Sequence, residues 1–288
     1  MRILGDRLQP LMAAVDTALS EHTLRAIITG VPSLLRHPIW RTTDPDQGNG
    51  QGVVLVPGFG VGEYSLALTA SWLRARGYKP IGARIGFNVG CTTTLVNRIL
   101  QRITEHADAT GGPVVLIGQS RGGYLARLAA VRTPEMVRGL VMLGSPVLDP
   151  LGASPSVLKV ARSLARLSTY GVPGLLDQDC FEGDCYRESV EALTIPLPPN
   201  VPAVAVYSRL DRIAPWQLCR DPYARCVEVR STHTGMAFDP DVYTAIEPRL
   251  RRWARRRDTG RAREAVRVAE TAEIPETVEA MIPRQRAS

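Results

Sequence analysis

A serine hydroxyl attacks a carbonyl only where the chain turns sharply enough to expose it and a base removes its proton. The segment VVLIGQSRGG offers such a turn: Gly118, Ser120 and Gly122 form G-x-S-x-G after an apolar run that reads as a strand and before residues that read as a helix. Small residues at 118 and 122 let strand and helix backbones approach where a side chain would clash. Ser120 is therefore the candidate nucleophile.

The base must be one of four histidines. His22 and His37 precede the apolar runs and His106 lies before the serine turn, whereas a strand-to-helix nucleophile of this kind takes its histidine last in chain order. His233, in RSTHTGM after the run RCVEVR, meets that order. An acid between the two should orient the imidazole and stabilise its charged form. Asp211 follows the run VPAVAVYS by three residues, while Asp221, Asp239 and Asp241 are competitors that a turn or helix cap would equally explain. Two N–H groups for the developing oxyanion are expected from Arg121, next to the nucleophile, and from Phe59, in the PGFG turn between Gly58 and Gly60.

Positioning these groups requires a sheet. Short apolar runs at Val53, Pro80–Ile85, Pro113, Gly139, Val201 and Arg225 alternate with helical patterns at Glu63–Arg76, Leu95–Ile103 and Arg121–Val131. Such alternation predicts βαβ units and a mainly parallel sheet covered by helices on both faces. Fully apolar runs agree with burial on both sides. The gap from Ser145 to Val201 is too long for a simple connection, which predicts a helical cap insertion at 146–199. In it Val157, Val160, Ala161, Leu164 and Leu167 share one helix face, and Leu164 and Leu167 are the candidate substrate-binding residues, expected to line an acyl pocket. The expected organisation is N-terminal helices over 1–45, a catalytic domain over 46–258, and a loosely ordered tail over 259–288.

The LVPGFG, GYKPIGARIGFNVG, LIGQSRGGYLARLAA, VMLGSP, VYSRLDRIAPW and EVRSTHTGM segments together resemble the bacterial α/β-hydrolase family that includes lipase-like serine esterases, over about Val53 to Leu250. The resemblance implies the α/β-hydrolase fold, a Ser120, Asp211, His233 triad and an oxyanion hole of Phe59 and Arg121. Two departures stand out. Pro57 sits where many such lipases carry His before the glycine, and Gln119 where His commonly precedes the serine.

The remaining features bound the reading. The chain has 288 residues, 44% hydrophobic and 22% charged, which suits one globular catalytic domain. The net charge of +7 gathers in arginines near the C-terminus without interleaved aromatics, so a nucleic-acid partner is not expected. No apolar stretch is long enough to span a bilayer, and the N-terminus lacks the apolar core of a secretory signal. A cytoplasmic protein is expected, with weak membrane-surface attachment open to its amphipathic N-terminal stretches. The five cysteines lack C-x-x-C spacing, so no metal is expected, and Cys180/Cys185 and Cys219/Cys226 are read as free thiols with local disulfides as the alternative. The expected activity is cofactor-free hydrolysis of a small-molecule or lipid ester. Acyl transfer or thioester hydrolysis would use the same groups, and a binding protein of this fold is the non-catalytic alternative.

Overall fold

A computed structural model describes residues 27–255. The first helical stretch expected from Leu8 and the tail after 258 lie outside the described residues. Strands β1 (Gly52–Val56), β2 (Lys79–Gly82), β3 (Val114–Gln119), β4 (Val137–Leu143), β5 (Ala203–Tyr207) and β6 (Arg225–Glu228) form one sheet in the order β2-β1-β3-β4-β5-β6. Every neighbouring pair is parallel. Before the first strand run α1 (27–36) and α2 (Pro38–Arg41), between the strands run α3 (Ala67–Arg74), α4 (Thr92–Thr110), α5 (Arg121–Arg132), α6 (Pro155–Thr169), α7 (Asp179–Glu182) and α8 (Asp184–Thr194), and after the last strand runs α9 (240–255). This is the α/β-hydrolase architecture expected.

The period-two geometry of a strand divides the core in two. Val54, Val56, Leu116, Leu140 and Met142 face α4, α5 and α8, while Val53, Leu55, Val115, Ile117, Val141 and Leu143 face α1, α3 and α9. The central strands are apolar at nearly every position because both faces are covered. The edges differ: β2 and β6 have four residues each and carry exposed Lys79, Arg225 and Glu228, which discourages pairing with another chain.

Several boundaries move for local reasons. The strand expected to reach Ile85 ends at Gly82, since Arg84 (φ +55°) and Gly86 (φ +65°) leave extended backbone. The helix expected to end near Ile103 continues to Thr110, its buried stripe extended by His106, Ala107 and Thr110, and stops where Gly111 takes left-handed backbone (φ +71°). The helix expected from Glu63 opens as a 3-10 turn over Glu63–Leu66, and the Glu63 carboxylate accepts the Arg84 N–H at 2.7 Å. Arg76 is buried beyond α3 and donates to the carbonyls of Ile39 and Thr42, fastening the N-terminal segment to the sheet layer.

Residues 146–199 hold α6, α7 and α8. The segment divides: Leu193 of α8 belongs to the main core, whereas Ala161 and Ala165 of α6 build a small separate core with Leu176, Cys180, Phe181 and Cys185, against which Phe59 packs. All five cysteines are free thiols. Cys219 and Cys226 turn to backbone carbonyls, of Pro215 and Asp221 respectively, rather than to each other.

Candidate active site

The chain goes from β1 to β2 on one side and sets β3 on the other, so the carboxyl ends of β1 and β3 flank a switch in winding direction, where such sheets leave a crevice. Ser120 stands at that point, between the last residue of β3 and the first of α5. Its backbone has φ +54° and ψ −127°, a combination typical of glycine at the first corner of a type II′ turn. Backbone contacts enforce the turn. A Cβ on Gly118 would lie 2.4 Å from the Gly122 carbonyl oxygen, and one on Gly122 would lie 2.3 Å from that of Val56. The Ser120 N–H donates to the Leu143 carbonyl at 2.8 Å, anchoring the turn to the neighbouring strand.

Asp211 and His233 come from the loops after β5 and β6. Asp211 Oδ1 accepts the N–H groups of Ile213 and Ala214 at 2.8 and 2.9 Å, which turns Oδ2 to His233 Nδ1 at 2.6 Å. Both side chains are buried, at 1% and 8% exposure. With Nδ1 committed to the carboxylate, Nε2 is the ring nitrogen left for a reacting proton. Of the competing acids, Asp241 is exposed on α9 and the other two have engagements elsewhere. Asp221 pairs with buried Arg127 at 2.5 Å, and Asp239 accepts the Asp241 N–H in a local turn. Of the other histidines, His37 Nδ1 accepts the Ile39 N–H, and His106 Nε2 donates to the Lys79 carbonyl at 2.7 Å; burial holds the His106 imidazole below its usual value. His22 lies outside the described residues.

Two residues of this neighbourhood carry no signal in the sequence reading. Ser208 Oγ accepts the N–H groups of Leu210 and Ser231, clamping the acid loop to the histidine loop. Asn88, fully buried, donates to the Pro57 carbonyl at 2.7 Å and accepts from the Arg121 guanidinium. The departures from the lipase pattern also acquire partners: Gln119 Nε2 donates to the His233 carbonyl at 3.2 Å, and Pro57 supplies the carbonyl that Asn88 holds.

Arg121 opens α5, so its N–H belongs to the helix's first turn, which has no intrahelical acceptor. Its buried side chain folds under the Phe59 ring and bonds the Asn88 and Gly90 carbonyls, Thr92 Oγ1 and Tyr124 Oη. The Gly58 turn lies against the serine: a Cβ there would sit 3.4 Å from Ser120 Cβ.

A cavity opens over Ser120, roofed by α6 and α7 and walled by Phe59, Leu151, Leu176 and Phe181. On α6 it is Val157, Leu158 and Ala161 that line it. Leu164 and Leu167 are half-buried one and two turns further along and are not among the lining residues. The pocket-lining part of the expected apolar face is thus its first turn and a half.

Comparison with known proteins agrees with this architecture. Mouse palmitoyl-protein thioesterase ABHD10, a mitochondrial protein, is 25% identical over 188 residues, 59% of this chain; the chain spans 62% of that relative's length. Among solved structures, the Bacillus licheniformis lipase BlEst2 superposes with a TM-score of 0.54 at 13% identity, over 73% of this chain and 94% of that one. A structure of the metagenome-derived lipolytic enzymes LipS and LipT gives 0.50 at 18% identity, over 72% and 94%. Among the described residues no helix is long and apolar enough to cross a membrane. The model of the alpha/beta hydrolase family matches residues 53–278, most of the chain, and the protein belongs to the alpha/beta hydrolase family.

Proposed function

We propose that this hydrolase cleaves carboxylic esters through an acyl-enzyme on Ser120. His233 Nε2 takes the hydroxyl proton as Oγ attacks the carbonyl, and Asp211 stabilises the imidazolium. The backbone N–H groups of Phe59 and Arg121 receive the oxyanion. Collapse of the tetrahedral species expels the alcohol with the proton from His233. Water, deprotonated by the same imidazole, then releases the acid and restores Ser120. The observation that carries this reading is the buried 2.6 Å bond from His233 to Asp211, with the His233 carbonyl held by Gln119, the residue preceding the serine.

The apolar cavity beside Ser120 supports an acyl chain as the group that stays on the enzyme, with the cap segment 146–199 setting its preferred length. Thioester hydrolysis is a second reading, favoured by the likeness to a palmitoyl-protein thioesterase; it uses the same acyl-enzyme with a thiolate as leaving group. A fluorophosphonate probe tests the core of the proposal without a guess at substrate. Labelling confined to Ser120 and lost in Ser120→Ala supports it; an unlabelled folded protein refutes it. Parallel turnover of p-nitrophenyl esters and an acyl-CoA then separates the two leaving groups.

A further inference from the structure

Three sulfurs from distant stretches of chain meet where the cap is rooted on the body. Cys91 is the N-cap of the 19-residue helix α4, Cys180 lies in α7, and Cys185 lies in the first turn of α8. Cys185 Sγ is 3.7 Å from Cys91 Sγ and 3.7 Å from Cys180 Sγ, and all three lie within 4.8 Å of one another. Zinc–thiolate bonds of about 2.3 Å at tetrahedral angles place neighbouring sulfurs about 3.8 Å apart. The two 3.7 Å contacts match that edge, and drawing in the third by no more than about 1 Å completes one face of the tetrahedron.

The surroundings suit a thiolate site. Asp179 accepts the N–H groups of Asp184 and Cys185, and Asp177 accepts that of Cys180, so the loop carrying two of the sulfurs is fixed by its own backbone. Thr93 Oγ1 donates to Cys185 Sγ at 3.4 Å, and the start of α4 stabilises negative charge on Cys91. The charge balance points the same way. The Arg121 guanidinium is buried on the carbonyl of Gly90 and the hydroxyl of Thr92, the two neighbours of Cys91. Among the described residues no carboxylate pairs with it. A buried cation without a counter-charge is costly, and three thiolates around a divalent ion carry one net negative charge.

We propose that Cys91, Cys180 and Cys185 form a binding site for a thiophilic divalent cation, zinc by preference, with the fourth position left to water. An ion there ties the start of α4 to α7 and α8 and, because Cys180 also lines the cavity, fixes that wall over Ser120. Spacing along the sequence hides the site, since 94 residues separate Cys91 from Cys185.

The test uses the full chain, reduced, stripped with a chelator and titrated anaerobically with cobalt(II). One equivalent should produce a near-ultraviolet thiolate-to-cobalt band with intense tetrahedral bands in the visible, and zinc should displace it. Cys185→Ser should weaken binding by more than about 100-fold, while Cys226→Ser, outside the cluster, should bind as the unaltered protein does. If Cys185→Ser does not fold, Cys91→Ser, whose sulfur is only half-buried, carries the same comparison. Absence of the thiolate band at one equivalent, a band untouched by the cluster variants, or a thiol count showing two of the three sulfurs joined as a disulfide in the protein purified without reductant would each overturn the site. The readout is spectroscopic, so it stands or falls separately from ester hydrolysis.

Discussion

If Ser120 is held in its backbone conformation by surrounding contacts rather than by preference, removing its Cβ should stabilise the protein while abolishing its chemistry. At φ +54° and ψ −127° a non-glycine residue bears about 1–3 kcal/mol of strain. Ser120→Ala removes the hydroxyl but retains the Cβ, and so retains the strain. Ser120→Gly releases it but adds about 0.5–1 kcal/mol of unfolded-chain entropy. The difference between the variants should be about 1 kcal/mol in favour of glycine, or about 2–4 °C in Tm for a chain of this size. Urea denaturation with an unchanged slope measures it, alongside ester turnover, which both variants should lose. If Ser120→Gly unfolds at the same or a lower urea concentration than Ser120→Ala, the turn is not strained and the geometric account of the elbow fails.

Further outcomes follow from other contacts. Asp211→Asn should lower kcat by about 10⁴-fold with little loss of stability, whereas Asp221→Ala, which leaves buried Arg127 unpaired, should cost about 3–5 kcal/mol by urea unfolding and leave the folded fraction active. Asn88→Ala removes the link between the Pro57 carbonyl and the Arg121 guanidinium, so kcat should fall by about 10- to 100-fold with KM nearly unchanged; an equal rise in KM would mark it as a binding residue instead. Ala161→Phe should depress kcat/KM for long p-nitrophenyl esters far more than for the acetate, and Leu164→Gln should leave the profile alone; the reverse result would move the acyl site along α6. Burial pushes the Tyr78 hydroxyl up to about 12. Its contribution is complete below the unfolded value near 10 and is lost as pH rises from there to about 12, about 2–3 kcal/mol in all. Tyr78→Phe should therefore flatten the alkaline decline in Tm, and an unchanged decline would refute the assignment.

What the sequence makes legible is what local backbone geometry constrains. The runs VVLV and VVLIG are apolar throughout because parallel strands are covered on both faces, and Gly118 and Gly122 are glycine because a carbonyl occupies the place of a Cβ. The cap helix shows the limit. Periodicity identifies the apolar face of α6 but not which turn of it stands over Ser120, since that depends on how the helix is laid on the body. Hence Val157, Leu158 and Ala161 line the cavity where Leu164 and Leu167 were expected. The Arg121 side chain is hidden for a related reason: a charged residue is normally exposed, and nothing near it in sequence announces that its acceptors lie around residues 88–92.

Asp211 and Asp221 sharpen the point, because their local structures are nearly the same. Each accepts the N–H two residues ahead through Oδ1, from Ile213 and from Tyr223, both at 2.8 Å. Each offers Oδ2 to a basic side chain, His233 Nδ1 at 2.6 Å in one case and Arg127 Nε at 2.5 Å in the other. The turn chemistry that selects an aspartate at both positions therefore cannot tell an orienting acid from a structural ion pair. The distinction lies in the partner, and the partner is set by where each loop leaves the sheet. Asp211 follows β5 directly and meets the loop that follows its neighbour β6, whereas Asp221 lies beyond a further turn and reaches back to α5. Order along the chain relative to the strands brings Asp211, and not Asp221, beside His233 because, in a parallel sheet, adjacent strands deliver their carboxyl-end loops to the same edge.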